Sequence, residues 1–153
     1  MGNDQDLWAA IVAADQHLAR ARAEFYQHAE ARREVLAAAL QGSNWDRGAA
    51  LSLLEVLPDD VPELLDQLVE QATSHRWALA SRRAIASGRR EAVTPLLRQI
   101  IRKRLETADV DDYRRLAELL RHMNDEEALS ALVQKAGSLD DPDMQEVAQD
   151  FAS

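Results

Sequence analysis

After its first 43 residues the sequence repeats with a period of 32 to 35 residues, which is the strongest constraint on its fold. Trp45 and Trp77 are 32 residues apart, and the same offset brings residues 64–69 (LLDQLV) onto residues 96–101 (LLRQII). A shift of about 35 residues relates the next unit, which begins near Tyr113. Periods in this range are typical of stacked helical units, because one helix pair cannot bury its apolar face alone. The period therefore predicts stacked helix pairs.

The composition favours an all-α fold. Ala, Leu, Glu, Arg and Gln together make up more than half of the chain, and aromatic residues make up only 5%. The dominant residue types are strong helix formers, since they lose little rotamer freedom on a helix. No segment alternates apolar and polar residues in the way of a half-buried strand. A chain of 153 residues has the length of about one domain.

Prolines, glycines and capping residues indicate where the helices begin and end. Residues 4–41 contain neither proline nor glycine and predict one long amphipathic helix of roughly 55 Å at 1.5 Å per residue. Its apolar stripe turns polar between His28 and Arg32, where a break is expected if the helix is interrupted. Gly42 is expected to end it in the left-handed conformation. The shorter helices are predicted at residues 45–57, 60–72, 76–87, 91–106, 111–122, 126–136 and 142–151.

The repeated part of the chain resembles the HEAT-like α-solenoid family. Residues 82–97 (RRAIASGRREAVTPLL) carry the clearest resemblance. They predict an Ala-rich first helix, a tight turn and a proline-started second helix, which is the order typical of that family. The resemblance covers residues 44–152 and implies about three helix pairs. We therefore expect a long N-terminal helix over residues 1–43, packed on the same domain or dimerising, and HEAT-like repeats over residues 44–153. Members of the family are mostly scaffolds, adaptors and inhibitors, so the resemblance implies protein binding.

Charge is distributed very unevenly along the chain. Residues 76–104 hold nine basic groups and one acidic group, whereas residues 44–75 hold one and seven, and residues 105–153 hold four and thirteen. A basic unit between two acidic ones predicts ion pairs between stacked units, and this is the preferred interpretation. A protein-binding patch is the second interpretation of the arginines, and a nucleic-acid patch is the third.

The repeat offset predicts which charges meet. An offset of 32 residues places Asp66 beside Arg98, and it places Glu70 beside Arg102. Each exposed pair is expected to contribute only about 0.2–1 kcal/mol. The pairs would therefore set the register between units more than they would stabilise the fold.

The sequence predicts no catalytic, cofactor-binding or metal-binding residue. There is no cysteine, which excludes disulfides, thiolate nucleophiles and the common zinc sites. His17 and His28 are eleven residues apart on one helix and cannot share an ion, so His28 is expected to be a packed or interfacial residue. Carboxylate pairs such as Asp59 with Asp60 fall at predicted helix starts, where capping explains them. We therefore expect a protein that is not an enzyme.

The predicted function is non-catalytic protein–protein interaction, in the manner of a small inhibitor, an immunity protein or an adaptor. A net charge of −9 favours a basic partner and disfavours nucleic acid and anionic membranes. Trp45 and Trp77 are expected to pack over the junction with the preceding unit, the alternative being exposed aromatic anchors. The candidate contact residues are Asp66, Glu70, Arg98, Arg102, Trp45, Trp77, Asp111, Asp112, Asp125, Glu126 and Glu127.

Two alternatives remain open at the level of sequence. One is a nucleic-acid-binding HEAT-like protein that uses the Arg-rich middle unit. The other is a homodimeric assembly subunit that pairs through its first helix, although capping of the repeats by that helix is slightly preferred. Without a basic leader or an apolar span, a cytoplasmic location is expected.

Overall fold

The computed structural model describes residues 2–152, and every regular element in that range is a helix. The all-α prediction is therefore confirmed. None of these helices is both long enough and apolar enough to cross a bilayer. The nine α-helices are α1 (Gly2–His28), α2 (Arg32–Leu40), α3 (Asn44–Val56), α4 (Leu65–Ala72), α5 (Ala78–Ser87), α6 (Arg90–Arg104), α7 (Val110–His122), α8 (Glu126–Ser138) and α9 (Pro142–Phe151).

The helix boundaries follow the sequence pattern, with exceptions before α4 and in α6. The expectation of a proline-started helix is wrong for α6, which begins at Arg90 and contains Pro95 in its interior. The long N-terminal helix is interrupted between His28 and Arg32, where its apolar stripe turns polar. The helix predicted from residue 60 begins only at Leu65, after two short 3-10 helices that start at Pro58 and Pro62. Proline suits the first turn of a helix but lacks the N–H that a continuing α-helix needs. The two prolines therefore divide this connection into separate turns.

The left-handed turn was predicted at the wrong residue. No glycine within residues 2–152 has a positive φ, and Gly42 is therefore not the left-handed stop of α2. The one residue in that range with a positive φ is Asn124, at 56°, which follows α7. Asparagine tolerates this conformation better than most residues because its short polar side chain can bond locally.

The helices from α2 onward enclose one continuous core. Helix α2 packs against α3 and α4, α5 packs against α3 and α4, α6 packs against α4, and α7 packs against α5. Helices α8 and α9 pack against each other and against α7. Buried side chains from Leu40 in α2 to Phe151 in α9 belong to a single cluster. Helix α1 contributes no buried residue, so only the second piece of the interrupted N-terminal helix packs fully on the body.

Gly88 marks a close approach between helices. A Cβ atom at this position would lie 2.8 Å from Cγ2 of Val93 and 2.9 Å from Cγ1 of Val61, and both valines are buried. We expect Gly88→Ala to lower the free energy of unfolding by about 1–3 kcal/mol, because overpacking forces buried side chains to shift. Urea denaturation measures this change.

A second glycine provides the control. At Gly137, in α8, an added Cβ would meet Cβ of Ala148 at 3.6 Å, which is ordinary contact. Gly137→Ala should therefore stabilise the protein by roughly 0.5–1 kcal/mol, because alanine is the better helix former. Equal stability of Gly88→Ala and the unaltered protein would contradict the overpacking explanation.

Candidate protein-interaction surfaces

The first twenty described residues form an exposed helical arm. Every residue from Gly2 to Ala21 is exposed, and at 1.5 Å per residue this arm is about 30 Å long. Five large apolar side chains on it are between 38% and 62% exposed, namely Leu7, Trp8, Ile11, Val12 and Leu18. A helix without tertiary packing is marginal in water, and contiguous exposed apolar residues mark interaction sites. The arm is therefore a candidate binding element.

A cluster of polar contacts fixes the base of the arm. Near the end of α1, the Tyr26 hydroxyl donates a hydrogen bond to Asp59. Arg32, the first residue of α2, donates from Nη1 to the Tyr26 carbonyl at 2.7 Å and stacks its guanidinium 4.6 Å from the centroid of the Tyr26 ring. These contacts hold the junction of α1 and α2 against the turn before α4.

The centre of this cluster is the buried carboxylate of Asp60. It accepts hydrogen bonds from Nη2 of Arg32 at 3.1 Å and from Nε of Arg33 at 3.2 Å. The hydrogen bond from Arg32, aided by that from Arg33, holds the pKa of Asp60 below its ordinary value, although burial acts in the opposite direction. The sequence assigned Asp60 to helix capping, and nothing local to residue 60 indicates a partner 28 residues away.

An open groove separates α1 from α3. It encloses about 990 Å³, and its walls include Leu18, Arg22 and Phe25 of α1 and Trp45 of α3. Trp45 is 91% exposed. The prediction that Trp45 packs against a preceding unit is therefore wrong, because α1 diverges from α3 and does not pack over the Trp45 side chain.

Trp77 occupies the equivalent position in the next unit and is packed. It is partly buried against the core, and its ring lies 3.8 Å from where a Cβ atom of Gly48 would stand. The guanidinium of Arg76 lies 5.3 Å from the centroid of the ring. The packing prediction is therefore confirmed for Trp77, which has α3 in front of it.

The arginines of the middle unit meet acidic residues on both sides, but not in the predicted pairs. Arg104 at the end of α6 pairs with Asp66 at 3.1 Å, so Asp66 is not the partner of Arg98. Arg82 pairs with Glu118 at 3.3 Å. Helix α4 has eight residues and α6 has fifteen, so residues related by the repeat offset do not lie side by side.

Arg98 forms the strongest of these contacts, with Asp125. Its Nε and Nη2 atoms donate to the two carboxylate oxygens at 2.9 and 2.8 Å, and its Nη2 atom lies 3.4 Å from Glu127. Asp125 is buried, and its Oδ1 atom also accepts from the backbone N–H of Ala128 at the start of α8. The hydrogen bond from Arg98 lowers the pKa of Asp125. Both carboxylate oxygens of Asp125 thus accept hydrogen bonds within the chain, so this residue is poorly placed to bind a partner protein.

The other candidate contacts differ in their exposure. Glu70 and Arg102 are exposed and, within residues 2–152, form no ion pair, so the predicted Glu70–Arg102 pair is wrong. Asp111 and Glu126 are exposed at the starts of α7 and α8. Asp112 is half-buried and closes the capping box of α7. Among the acidic candidates, Glu70, Asp111 and Glu126 are therefore exposed without an ion pair in the described residues, whereas Asp66 and Glu127 are exposed but lie beside arginines.

Helices α7 to α9 and their flanking residues form an acidic end. Thirteen acidic and four basic residues lie in residues 105–153. Arg114 is bound to Asp150 at 2.8 Å, and Arg115 is bound to Glu118 at 3.2 Å. Arg121 stacks its guanidinium 4.6 Å from the centroid of the Phe151 ring. Arg114 and Arg115 are therefore paired with acids, Arg121 keeps its charge against the ring, and Glu118 and Asp125 also pair with Arg82 and Arg98. Asp111, Glu126 and Asp140 are exposed and, within residues 2–152, form no ion pair.

A cleft opens in this acidic end. It encloses about 550 Å³ between α7, α8 and α9, with Leu129, Val133 and Phe151 among its apolar walls. Glu126 lines it as well and is exposed. Beside these apolar walls the carboxylate of Glu126 suits a long cationic side chain, whose stem is apolar and whose head is charged, while Arg121 lines the same cleft with the opposite charge to Glu126.

The described residues contain no group of three or more His, Asp or Glu side chains arranged to hold a metal ion. His28 is exposed, with its Nε2 atom 3.9 Å from Oε2 of Glu24, so it is not packed in the chain. In comparisons with known proteins, no family model, no curated protein and no solved structure matches this chain.

Proposed function

We propose that this chain is a non-catalytic protein-binding module that takes a basic protein partner at its acidic end. The observation that carries the proposal is the charge of residues 105–153, where thirteen acidic residues outnumber four basic ones. Asp111, Glu126 and Asp140 in this region are exposed and form no ion pair within residues 2–152. A surface of one sign attracts a partner of the other and accelerates their association. A small inhibitor, an immunity-type protein or an adaptor would act in this way.

The architecture that we propose for this function is a short HEAT-like solenoid. The pairs α3 with α4, α5 with α6, and α7 with α8 would be its repeats. This is supported by the packing of α5 on α3, of α7 on α5 and of α6 on α4. Helix α9 packs on the last unit of this stack, and this end of the stack carries the acidic end.

The basic middle unit favours protein binding over nucleic-acid binding. Arg82, Arg98 and Arg104 are held by acidic residues of neighbouring helices, and Arg90 donates to the backbone carbonyl of Met123 at 3.1 Å. Counterion release on nucleic acid requires free cationic groups along one surface. Four of the nine basic groups of residues 76–104 are instead used between helices.

The test compares two neutralised variants in affinity purification from the native host. The first carries Asp111→Asn, Glu126→Gln and Asp140→Asn, all at exposed positions of the acidic end. At roughly 0.5 kcal/mol for each lost charge pair, the Kd of the captured partner should rise about tenfold. Mass spectrometry should identify that partner as a basic protein.

The matched control carries the same number of neutralised acids elsewhere. It combines Glu30→Gln, Glu34→Gln and Glu55→Gln, which are exposed positions around α2 and α3. This variant should retain the partner with unchanged Kd. An acidic partner, or equal loss of binding in both variants, would argue against recognition at the acidic end.

A further inference from the structure

The arm carries a coiled-coil seam that nothing in the described chain covers. Leu7, Ile11, Ala14, Leu18 and Ala21 recur at alternating spacings of four and three residues. All five are exposed. This heptad spacing is that of a helix that packs along a second helix, and the two alanines allow the close interaxial distances of about 8–10 Å that such pairs adopt.

The charges of the arm favour an antiparallel partner helix of the same sequence. Asp4 and Asp6 lie near the tip of the arm, and Arg20 and Arg22 lie near its base. Two copies in antiparallel orientation bring each acidic tip to the basic base of the other. A parallel pair would instead place acid beside acid and base beside base, which is unfavourable.

The antiparallel register also fills the groove between α1 and α3. In that register Leu7 faces Leu18 of the second copy, and Ile11 faces Ala14 of the second copy. Each tip, with Trp8, then enters the groove beside Trp45 of the other copy. The groove walls carry Arg22 and Arg76, which complement the acidic tip. The arm and the groove are thus complementary in shape and in charge.

We propose that two copies of this chain form an antiparallel dimer in which each arm pairs with the other and seats its tip in the groove of the partner subunit. The seam, the groove and the exposed Trp45 then have one common explanation. A fully buried aromatic side chain covers 150–250 Å², so Trp8 and Trp45 of two copies would bury roughly 500–700 Å². That is about half of the 1,200 Å² that a stable interface needs, and the paired seams add to it.

This dimer is independent of the basic partner proposed above. The arm and the groove contain no residue of the acidic end, so each surface can be altered without the other. A variant that loses the dimer and retains the basic partner would separate the two proposals.

Sedimentation equilibrium of the full chain at tens of micromolar tests the dimer. The expected mass is twice the 17.1 kDa of one chain. Ile11→Glu should yield monomers, because it places a charge in the seam, and its helix content by circular dichroism should show that the body remains folded. Trp45→Ala should weaken the dimer about 30-fold, as is typical of an interface hot spot. A monomeric unaltered chain would overturn the proposal.

Val56→Glu is the matched control for Ile11→Glu. Both residues are β-branched and equally exposed, 55% for Val56 and 54% for Ile11, but Val56 lies in α3 and does not line the groove. Val56→Glu should remain dimeric. If Ile11→Glu is dimeric as well, the chains associate through another surface and the proposal fails.

Cross-linking tests the orientation, and the absence of native cysteine makes it free of background. A chain carrying Leu7→Cys is mixed with a chain carrying Leu18→Cys and then oxidised. The antiparallel register brings these positions close enough for a disulfide, which needs Cα atoms about 4.4–6.8 Å apart. Mixed disulfides between the two chains are expected. Homodisulfides alone, of either chain, would overturn the antiparallel arrangement.

Discussion

Replacing Arg32 with methionine is expected to lower the free energy of unfolding by about 3 kcal/mol or more. Asp60 is only 2% exposed and accepts its strongest hydrogen bond from Arg32. Methionine keeps most of the apolar stem of Arg32 but removes the charge, so a buried carboxylate loses its main partner. Urea denaturation at neutral pH, with the slope checked for a two-state transition, measures the loss.

Arg33→Met is the control for this effect. Arg33 also donates to Asp60, at 3.2 Å, but its side chain is 59% exposed, against 24% for Arg32. An exposed ion pair contributes about 0–1 kcal/mol, so Arg33→Met should cost less than 1 kcal/mol. Equal losses for the two variants would show that the Asp60 site does not distinguish its partners.

A double variant separates the ion pair from the packing. Arg32→Met combined with Asp60→Leu removes both charges, and apolar replacement of a buried pair is often neutral or stabilising. The double variant should therefore be more stable than Arg32→Met alone, although it contains one more substitution. If the two losses add, Arg32 and Asp60 do not act as a pair.

The same pair gives the stability a defined pH dependence. Arg32 lowers the pKa of Asp60 in the folded chain. The stabilisation is therefore complete above the pKa of an aspartate in the unfolded chain, about 3.9, and is lost as the pH falls through the lower folded pKa. The difference in stability between the unaltered protein and Arg32→Met should accordingly become smaller as the pH falls below about 4.

The helices were predictable from the sequence because their signals are local. The pattern left open whether the N-terminal helix breaks, and the break lies between His28 and Arg32, where the stripe turns polar. The start of α9 follows from Asp141 before Pro142. Asp141 accepts a hydrogen bond from the backbone N–H of Asp143 at 2.9 Å, as a capping residue does. Such signals lie within a few residues of the feature that they determine.

The course of the arm could not be predicted in the same way. The junction from which α1 leaves the body is held by the contact of Arg32 with Asp60, across 28 residues of sequence. Trp45 and Trp77 have the same place in the repeat, yet one is exposed and the other is packed. The position of α1 relative to α3 decides this difference in exposure, and no local sequence pattern predicts that position.

Truncating Trp45, Trp77 and Tyr113 to alanine should give losses of stability that rise along the chain. Tyr113 is 1% exposed, and its hydroxyl donates to the carbonyl of Leu105 at 3.3 Å. Tyr113→Ala should cost about 3–5 kcal/mol, as expected for a large aromatic side chain removed from a core. Tyr113→Phe should cost only about 1 kcal/mol, the usual contribution of one hydrogen bond.

The two tryptophans complete the series. Trp77 is partly buried against the core, so Trp77→Ala should cost about 2 kcal/mol, in proportion to the apolar surface that it covers. Trp45 touches little within its own chain, and Trp45→Ala should change the stability by less than about 0.5 kcal/mol. The series is measured in the Ile11→Glu background, so that association of two copies cannot stabilise the folded chain.

The order of the three losses tests the arrangement of the layers directly. A preceding helix packs on the helix that contains Tyr113 and on the helix that follows Trp77, since α7 packs on α5 and α5 packs on α3. No layer lies in front of Trp45, because α1 diverges there. If Trp45→Ala cost as much as Trp77→Ala in a monomer, α1 would have to pack over α3 in solution. The groove would then be closed by its own chain, and no second copy could enter it.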